Sequence, residues 1–212
     1  LFQQIIGLAL ALFLNSKFKG RGMIRTIIYM PAMVSGLVMG YIMYFFFQYK
    51  GGVVNDILAA FGASGYDWLG NGTSAIAVIV FINTWQFVGV SMVIYLAGIQ
   101  GVSQSYLEAA TVDGANAWER FRFIILPLLV PALSSSVIYN LIGGLKLYDV
   151  IIALTDGGPA KKTHSLATYI ANRYFDAERA GYAAAIGVFS FVMIMIISMI
   201  VNAYFRKKEV DL

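Results

Sequence analysis

The chain has 212 residues, 59% of them hydrophobic and only 12% charged, with a formal net charge of +4. Soluble domains run at about 45–50% apolar and about 25% charged, and a core this large needs more polar surface than such a chain supplies, so the composition points to a membrane protein. With no Cys and a single His, His164, a disulfide framework and a thiolate or multi-histidine metal site are both excluded.

The chain opens on Leu1 inside an apolar run with no basic region before it. It therefore reads as a trimmed chain, N-terminally incomplete, rather than as a signal peptide. A bilayer core about 30 Å thick takes roughly 20 apolar residues in a helix. No charge lies between Arg25 and Lys50, Asp67 and Glu108, Arg122 and Lys146, or Arg179 and Arg206. These gaps predict spans near 26–47, 75–100, 128–154 and 182–205, with 1–14 as a shorter fifth helix. The fold class is all-α: a polytopic membrane protein with about five transmembrane helices in a single transmembrane domain over 1–212.

The segments between spans carry the orientation. Lys17, Lys19, Arg21 and Arg25, then Arg120 and Arg122, then Arg206, Lys207 and Lys208 all fall on one side. Lys50, Lys161, Lys162, Arg173 and Arg179 fall on the other. The denser set belongs in the cytoplasm, which places 101–127 inside and 48–74 and 155–181 outside. Charges scattered among spans do not make a nucleic-acid surface. Residues 51–61 and 166–175 have the apolar spacing of helices lying along the membrane. Asp156-Gly-Gly-Pro159 is a turn that ends the preceding span.

The cytoplasmic segment is the one sizeable polar, helix-prone stretch between two apolar blocks. Ser105 with Glu108 fits a capping box that starts a helix near Tyr106. Asp113-Gly114 is a turn dipeptide. Trp118, Phe121, Ile124 and Ile125 form a second apolar stripe, and Pro127 and Pro131 punctuate the entry to the next span. Polar residues within spans are costly and mark candidate sites. Asn83, Trp85, Gln86, Asn140, Lys146, Tyr148 and Asp149 are the candidates for a solute pathway, because together they supply hydrogen-bonding groups and aromatic faces. Helix–helix hydrogen bonding is the competing role for the amides. Lys146 and Asp149, three residues apart, are expected to share a helix face and to pair. The chain has no Gly-x-x-x-x-Gly-Lys-Ser/Thr phosphate loop, so it holds no nucleotide site of its own.

The segment Glu108-Ala-Ala, three residues, Gly114, nine residues, Ile124-x-Leu126-Pro127 resembles the EAA loop of permease subunits of binding-protein-dependent ATP-binding-cassette importers. Asp113-Gly114-Ala115 and Phe121 are similar to the carbohydrate branch, as are Arg25-Thr-Ile-Ile-Tyr-Met-Pro31, Leu96-Ala-Gly-Ile-Gln100, Gly144-Leu-Lys-Leu-Tyr-Asp149 and Thr155-Asp-Gly-Gly-Pro159. The resemblance implies the type I importer permease fold in a bacterial or archaeal cytoplasmic membrane. It implies that the chain is not an enzyme and moves a sugar, with an oligosaccharide favoured over a phosphorylated polyol because no predicted span holds an interior Arg. The implied partners are a second permease, two ATPases that bind the ATP and Mg, an extracytoplasmic sugar-binding protein and membrane lipid. The residues that the resemblance assigns to ATPase coupling are Glu108, Ala109, Ala110, Asp113, Gly114, Ala115, Ile124, Leu126 and Pro127. An ion-coupled secondary transporter is the rival from another class; the inverted repeats common there are not evident. A membrane enzyme would need clustered acid–base or metal residues, which Lys146 and Asp149 alone do not provide.

Overall fold

A computed structural model describes residues 1–16 and 18–209. Lys17, counted above in the cytoplasmic basic set, lies outside them. Among the described residues every regular element is helical. In chain order these are α1 (Phe2–Asn15), α2 (Arg21–Tyr29), α3 (Gly36–Phe47), α4 (Val53–Ala60), α5 (Gly72–Gln100), α6 (Gln104–Val112), α7 (Ala117–Arg120), α8 (Leu126–Leu128), α9 (Val130–Leu145), α10 (Asp149–Thr155), α11 (Leu166–Ala171) and α12 (Ala180–Arg206).

Two of these helices, α5 and α12, are long and apolar enough to cross a membrane on their own. The count reaches four if each broken pair, Arg21–Met33 with α3 and Ala117–Leu128 with α9, is one span. The expected span at 26–47 is not one helix. Pro31 lacks an N–H and fixes its own backbone; a 3₁₀ turn occupies Met30–Met33, and a new helix starts at Gly36. The expected span at 128–154 is also interrupted. Its helix ends at Leu145, soon after the adjacent glycines 143 and 144, each costly in a helix, and resumes at Asp149.

The chain divides into two compact units. The first comprises residues 1–31, 87–142 and 195–212. Its core gathers Ala11, Leu14, Met92, Tyr95, Leu96, Ile99 and Leu129. Helix α1 buries Gln3, Gly7, Ala11 and Leu14, one stripe at helical spacing. The Arg25 guanidinium donates to the Leu14 carbonyl at 2.7 Å, which satisfies one of the free acceptors at the end of α1.

The second unit comprises 32–86 and 143–194. Its core is Met39, Met43, Val78, Ile79, Ile82, Val150, Ile151 and Leu154. Here α3 and α10 touch backbone to side chain. A methyl group on Gly40 would lie 2.5 Å from Cβ of Ala153 and 3.3 Å from Cα of Val150, so only glycine fits. Asn55, 6% exposed, anchors the connection after α4. It donates to the carbonyls of Tyr49 and Tyr66 and accepts from the Tyr66 N–H and the Trp68 indole, all at 3.0–3.1 Å.

The apolar window of α12 is only 6% buried, against 44% for α5. Its surface therefore faces something other than this chain. Overpacking the α3–α10 contact gives a direct check. Gly40→Val should destabilise the protein by about 1–3 kcal/mol, read as a lowered thermal midpoint in detergent. Gly187→Ala in α12, where the added methyl meets nothing within 4 Å, should leave the midpoint unchanged or slightly raised.

Candidate functional site

The segment 101–128 is built as a rigid helical hairpin. Helix α6 starts at Gln104 with Ser103 as its cap residue, and no side chain caps it. The expected capping box at Ser105 and Glu108 is therefore not formed; the Ser105 hydroxyl meets that of Ser103 at 2.7 Å. The helix ends on a left-handed glycine. Gly114 has φ +83°, the Gly114 N–H donates to the Thr111 carbonyl at 3.1 Å and the Ala115 N–H to that of Ala110 at 2.9 Å. This nested pair of bonds is the Schellman ending, which needs a residue with positive φ at the turn. The glycine of the Glu-Ala-Ala-x-x-x-Gly pattern thus has a backbone reason.

The capping box sits eight residues beyond Glu108, at the start of α7. The Asn116 side chain accepts from the N–H groups of Trp118 and Glu119, and the Glu119 carboxylate accepts from the Asn116 N–H at 2.7 Å. Its sequence signal is Asn116-Ala-Trp-Glu119, with Asn in place of Ser or Thr. Arg120 then crosses back to α6 and donates to the Thr111 hydroxyl at 2.6 Å, while that hydroxyl donates to the Leu107 carbonyl at 2.7 Å. One π-helical turn, Phe121–Ile125, leads into α8. Wider turns of this kind are often found at functional positions.

The two arms enclose a groove of about 400 Å³. Tyr106, Ala109, Ala110 and Asp113 form one wall; Phe123, Ile124, Pro127 and Leu128 form the other. Five of the nine expected coupling residues therefore line a single groove. Glu108 and Gly114 are exposed beside it, and Ala115 and Leu126 are half-buried. Val112, Trp118 and Phe123 are 88%, 67% and 73% exposed. Large apolar side chains left this open on a polar hairpin mark a surface that meets another protein or the membrane.

The intramembrane candidates divide differently. Asn140 belongs to a polar network in the first unit. It accepts from Gln3 Nε2 at 2.5 Å and donates to the Ser91 hydroxyl and the Ser136 carbonyl, both at 2.9 Å. Gln3 also donates to the Phe87 carbonyl at 2.9 Å. Gln4 accepts from the hydroxyls of Tyr95 and Ser136. The amide of Asn140 is committed to joining helices. Gln3 and Gln4 are absent from the sequence-based candidates, because the length of segment 1–14 says nothing of them; two amides in an apolar run are the signal.

In the second unit Gln86 is fully buried and donates to the Val34 carbonyl at 2.9 Å. It braces the unwound residues before α3. Asn83 is half-buried and Trp85 is 41% exposed. Lys146, Tyr148 and Asp149 are exposed around the break between α9 and α10. Because α9 ends at Leu145 and α10 begins at Asp149, Lys146 and Asp149 do not share a helix face. The expected i,i+3 pairing has no helix to carry it. The break itself is held by the Ser165 hydroxyl, which donates to the Leu147 carbonyl at 2.5 Å.

Residues 4–210 match the family described as the inner membrane component of binding-protein-dependent transport systems. The chain belongs to that family. It is 36% identical over 193 residues to the trehalose/maltose transport system permease protein MalF of Thermococcus litoralis, covering 91% of this chain and 65% of that protein. It is 32% identical over 208 residues to the probable starch degradation products transport system permease protein AmyD of Thermoanaerobacterium thermosulfurigenes, covering 98% and 70%. The chain thus spans about two thirds of the length of these relatives. A solved bacterial alginate ABC transporter, in complex with an alginate pentasaccharide-bound periplasmic protein, matches with a TM-score of 0.87 at 27% identity, covering 98% of this chain and 73% of that one. The fold of this permease is accordingly that of the importer permeases expected from the sequence.

Two substitutions test these assignments in the permease. Asn116→Ala removes the capping box and should cost about 1 kcal/mol, seen as faster amide exchange over 117–120 with the spans unaffected. Asn140→Leu strips partners from Gln3 and Ser91 and should cost about 1–3 kcal/mol, measured as a lowered unfolding midpoint. The apparent KM for solute should stay unchanged, since the amide faces other helices.

Proposed function

We propose that this permease forms part of the path by which a sugar of oligosaccharide size enters a bacterial or archaeal cell, driven by a separate ATPase that seats against residues 104–128. The observation that carries this reading is the hairpin: a short helix stiffened by a Schellman turn, a capping box and the Arg120–Thr111 bond, with its apolar residues exposed. A rigid element of this kind transmits displacement when a partner grips it. ATP and Mg belong to the ATPase. The assembly comprises a second permease, two ATPases and an extracytoplasmic sugar-binding protein, with hairpin 101–127 in the cytoplasm and 48–74 and 155–181 outside.

The names of the relatives, with maltose, starch products and alginate among them, support a saccharide as the solute. Lys146, Tyr148, Asp149 and Trp85 are the residues offered to it. They are exposed, and an aromatic ring beside charged groups suits the mixed apolar and hydroxyl surface of a sugar. Irregular backbone at membrane depth is tolerated where it borders a water-filled cavity, which supports a path running past the break at 146–148.

Gly114→Trp tests the coupling. Nothing in this chain lies within 4 Å of a Cβ at Gly114, so the indole meets whatever docks there, in addition to straining a turn held at φ +83°. The protein should insert and assemble, and transport-coupled ATP hydrolysis should be lost. Gly114→Asn, which tolerates a left-handed backbone, should retain it. Normal coupled turnover in the tryptophan variant would overturn the proposal, as would purification of the chain without a second permease or an ATPase.

A further inference from the structure

The helical stretch from Ala117 to Leu128 has two sides, and the groove uses only one of them. Phe123, Ile124, Pro127 and Leu128 line the groove toward α6, and Arg120 reaches α6 through Thr111. By its other side the stretch docks on its own unit. Leu129, fully buried, lies in the core with Leu14, Met92 and Tyr95, and Ile125 packs against that core. The contact is close: a methyl on Gly98 of α5 would come within 2.7 Å of Leu129 Cδ1. Phe121, four residues before Ile125, continues this side outward. The Trp118 ring leans on Phe121, with centroids 5.5 Å apart and planes at 37°, and Trp118 is 67% exposed. Arg122, four residues on from Trp118, is exposed as well.

The bend into the span sets the level of this side. Ala117–Leu128 makes an angle of 65° with α9. Membrane helices tilt by about 20° on average, so with α9 in the bilayer the stretch runs between about 45° and 85° off the membrane normal. It lies along the surface and carries Trp118 about 15 Å sideways from the start of α9. The side bearing α6 faces the cytoplasm. The side bearing Phe121 and Ile125 faces the apolar layer in which Leu129 is buried, and past the edge of the protein that layer ends in lipid headgroups.

The side chains placed there suit that surface. Trp is drawn to the headgroup level, where its ring is in an apolar setting and its N–H in a wet one. Arg presents a planar fork of donors that matches a phosphate. The neighbouring carboxylate, on Glu119, is tied to the Asn116 N–H at 2.7 Å, so Arg122 keeps its charge for an anion outside the chain. We propose that Trp118 and Arg122 bind the headgroup layer of the cytoplasmic leaflet, the indole among the glycerol esters and the guanidinium on a lipid phosphate. This rests on the cytoplasmic placement of the hairpin given above. The two sides of one helical stretch then serve two partners: the ATPase meets α6 and its groove, and anionic lipid holds α7 at a fixed depth beside them.

The test places p-benzoylphenylalanine at position 118, or at position 112 at the end of α6, where Val112 is 88% exposed. The assembled transporter is illuminated in nanodiscs of mixed phosphatidylcholine and phosphatidylglycerol. Position 118 should give adducts of phospholipid mass, and position 112 adducts with the ATPase. Arg122→Gln should lower the ratio of phosphatidylglycerol to phosphatidylcholine in the adducts from 118, and Arg122→Lys should keep it. Adducts from 118 with the ATPase or a second permease alone, while 112 still reaches the ATPase, would overturn the lipid assignment and leave the coupling intact. A ratio indifferent to Arg122→Gln would overturn the role of the guanidinium. No ATPase adduct from 112 would overturn the coupling, and the cytoplasmic leaflet as the partner of Trp118 falls with it.

Discussion

Inside a bilayer no water is available to satisfy a free backbone carbonyl or N–H, so each break in a helix must be paired by the protein itself. Two of this permease's helix breaks, ahead of α3 and ahead of α10, are each answered by a side chain. Gln86 donates to the Val34 carbonyl ahead of α3. Ser165 donates to the Leu147 carbonyl ahead of α10. With these two bonds made, α3 and α10 can start afresh and pack as closely as Gly40 against Ala153 allows. The exposure of Lys146, Tyr148 and Asp149 follows from the same break, since they lie on or beside it.

The first unit handles the constraint in another way. It concentrates amides and hydroxyls into one network joining α1, α5 and α9, in which Gln3 donates to Ser91 and Asn140 and Asn140 donates to Ser91. Apolar packing gives little preference for one helix register over another in lipid. A set of directional bonds does, because sliding a helix by one residue would misalign several of them together. The hairpin 101–128 is carried by a unit whose helices are held in register in this way.

How much the sequence reveals depends on how local each cause is. The charge-free gaps locate α5 and α12 to within three residues, because a long apolar helix declares itself by composition. Gly114 is legible because a left-handed turn is a property of one residue and its neighbours. The capping box is ambiguous in sequence because Ser105–Glu108 and Asn116–Glu119 carry the same spacing, and only the second forms. The Arg120–Thr111 bond that organises the hairpin is a contact between its arms. The breaks at 34–35 and 146–148 are hidden. Pro31 and the paired glycines at 143 and 144 weaken a helix, but the donors that make a break tolerable, Gln86 and Ser165, stand 52 and 18 residues away. The role of Asn140 is equally distant, its Gln3 partner being 137 residues earlier.

The π-helical turn at Phe121–Ile125 bears on how sequences of this kind diverge. Such a turn amounts to one residue inserted into an α-helix, and each residue of α-helix rotates the chain beyond it by about 100°. The insertion therefore sets the rotational phase between α7, which carries the capping box and Arg120, and the membrane helix beyond Pro127. Deleting a single residue there would shorten the nine-residue interval between Gly114 and Ile124 and turn α7 by about a quarter of a turn relative to the membrane helix. In this stretch spacing is under tighter physical constraint than side-chain identity, and length differences between relatives should be absorbed elsewhere, in the loops on the opposite face of the membrane.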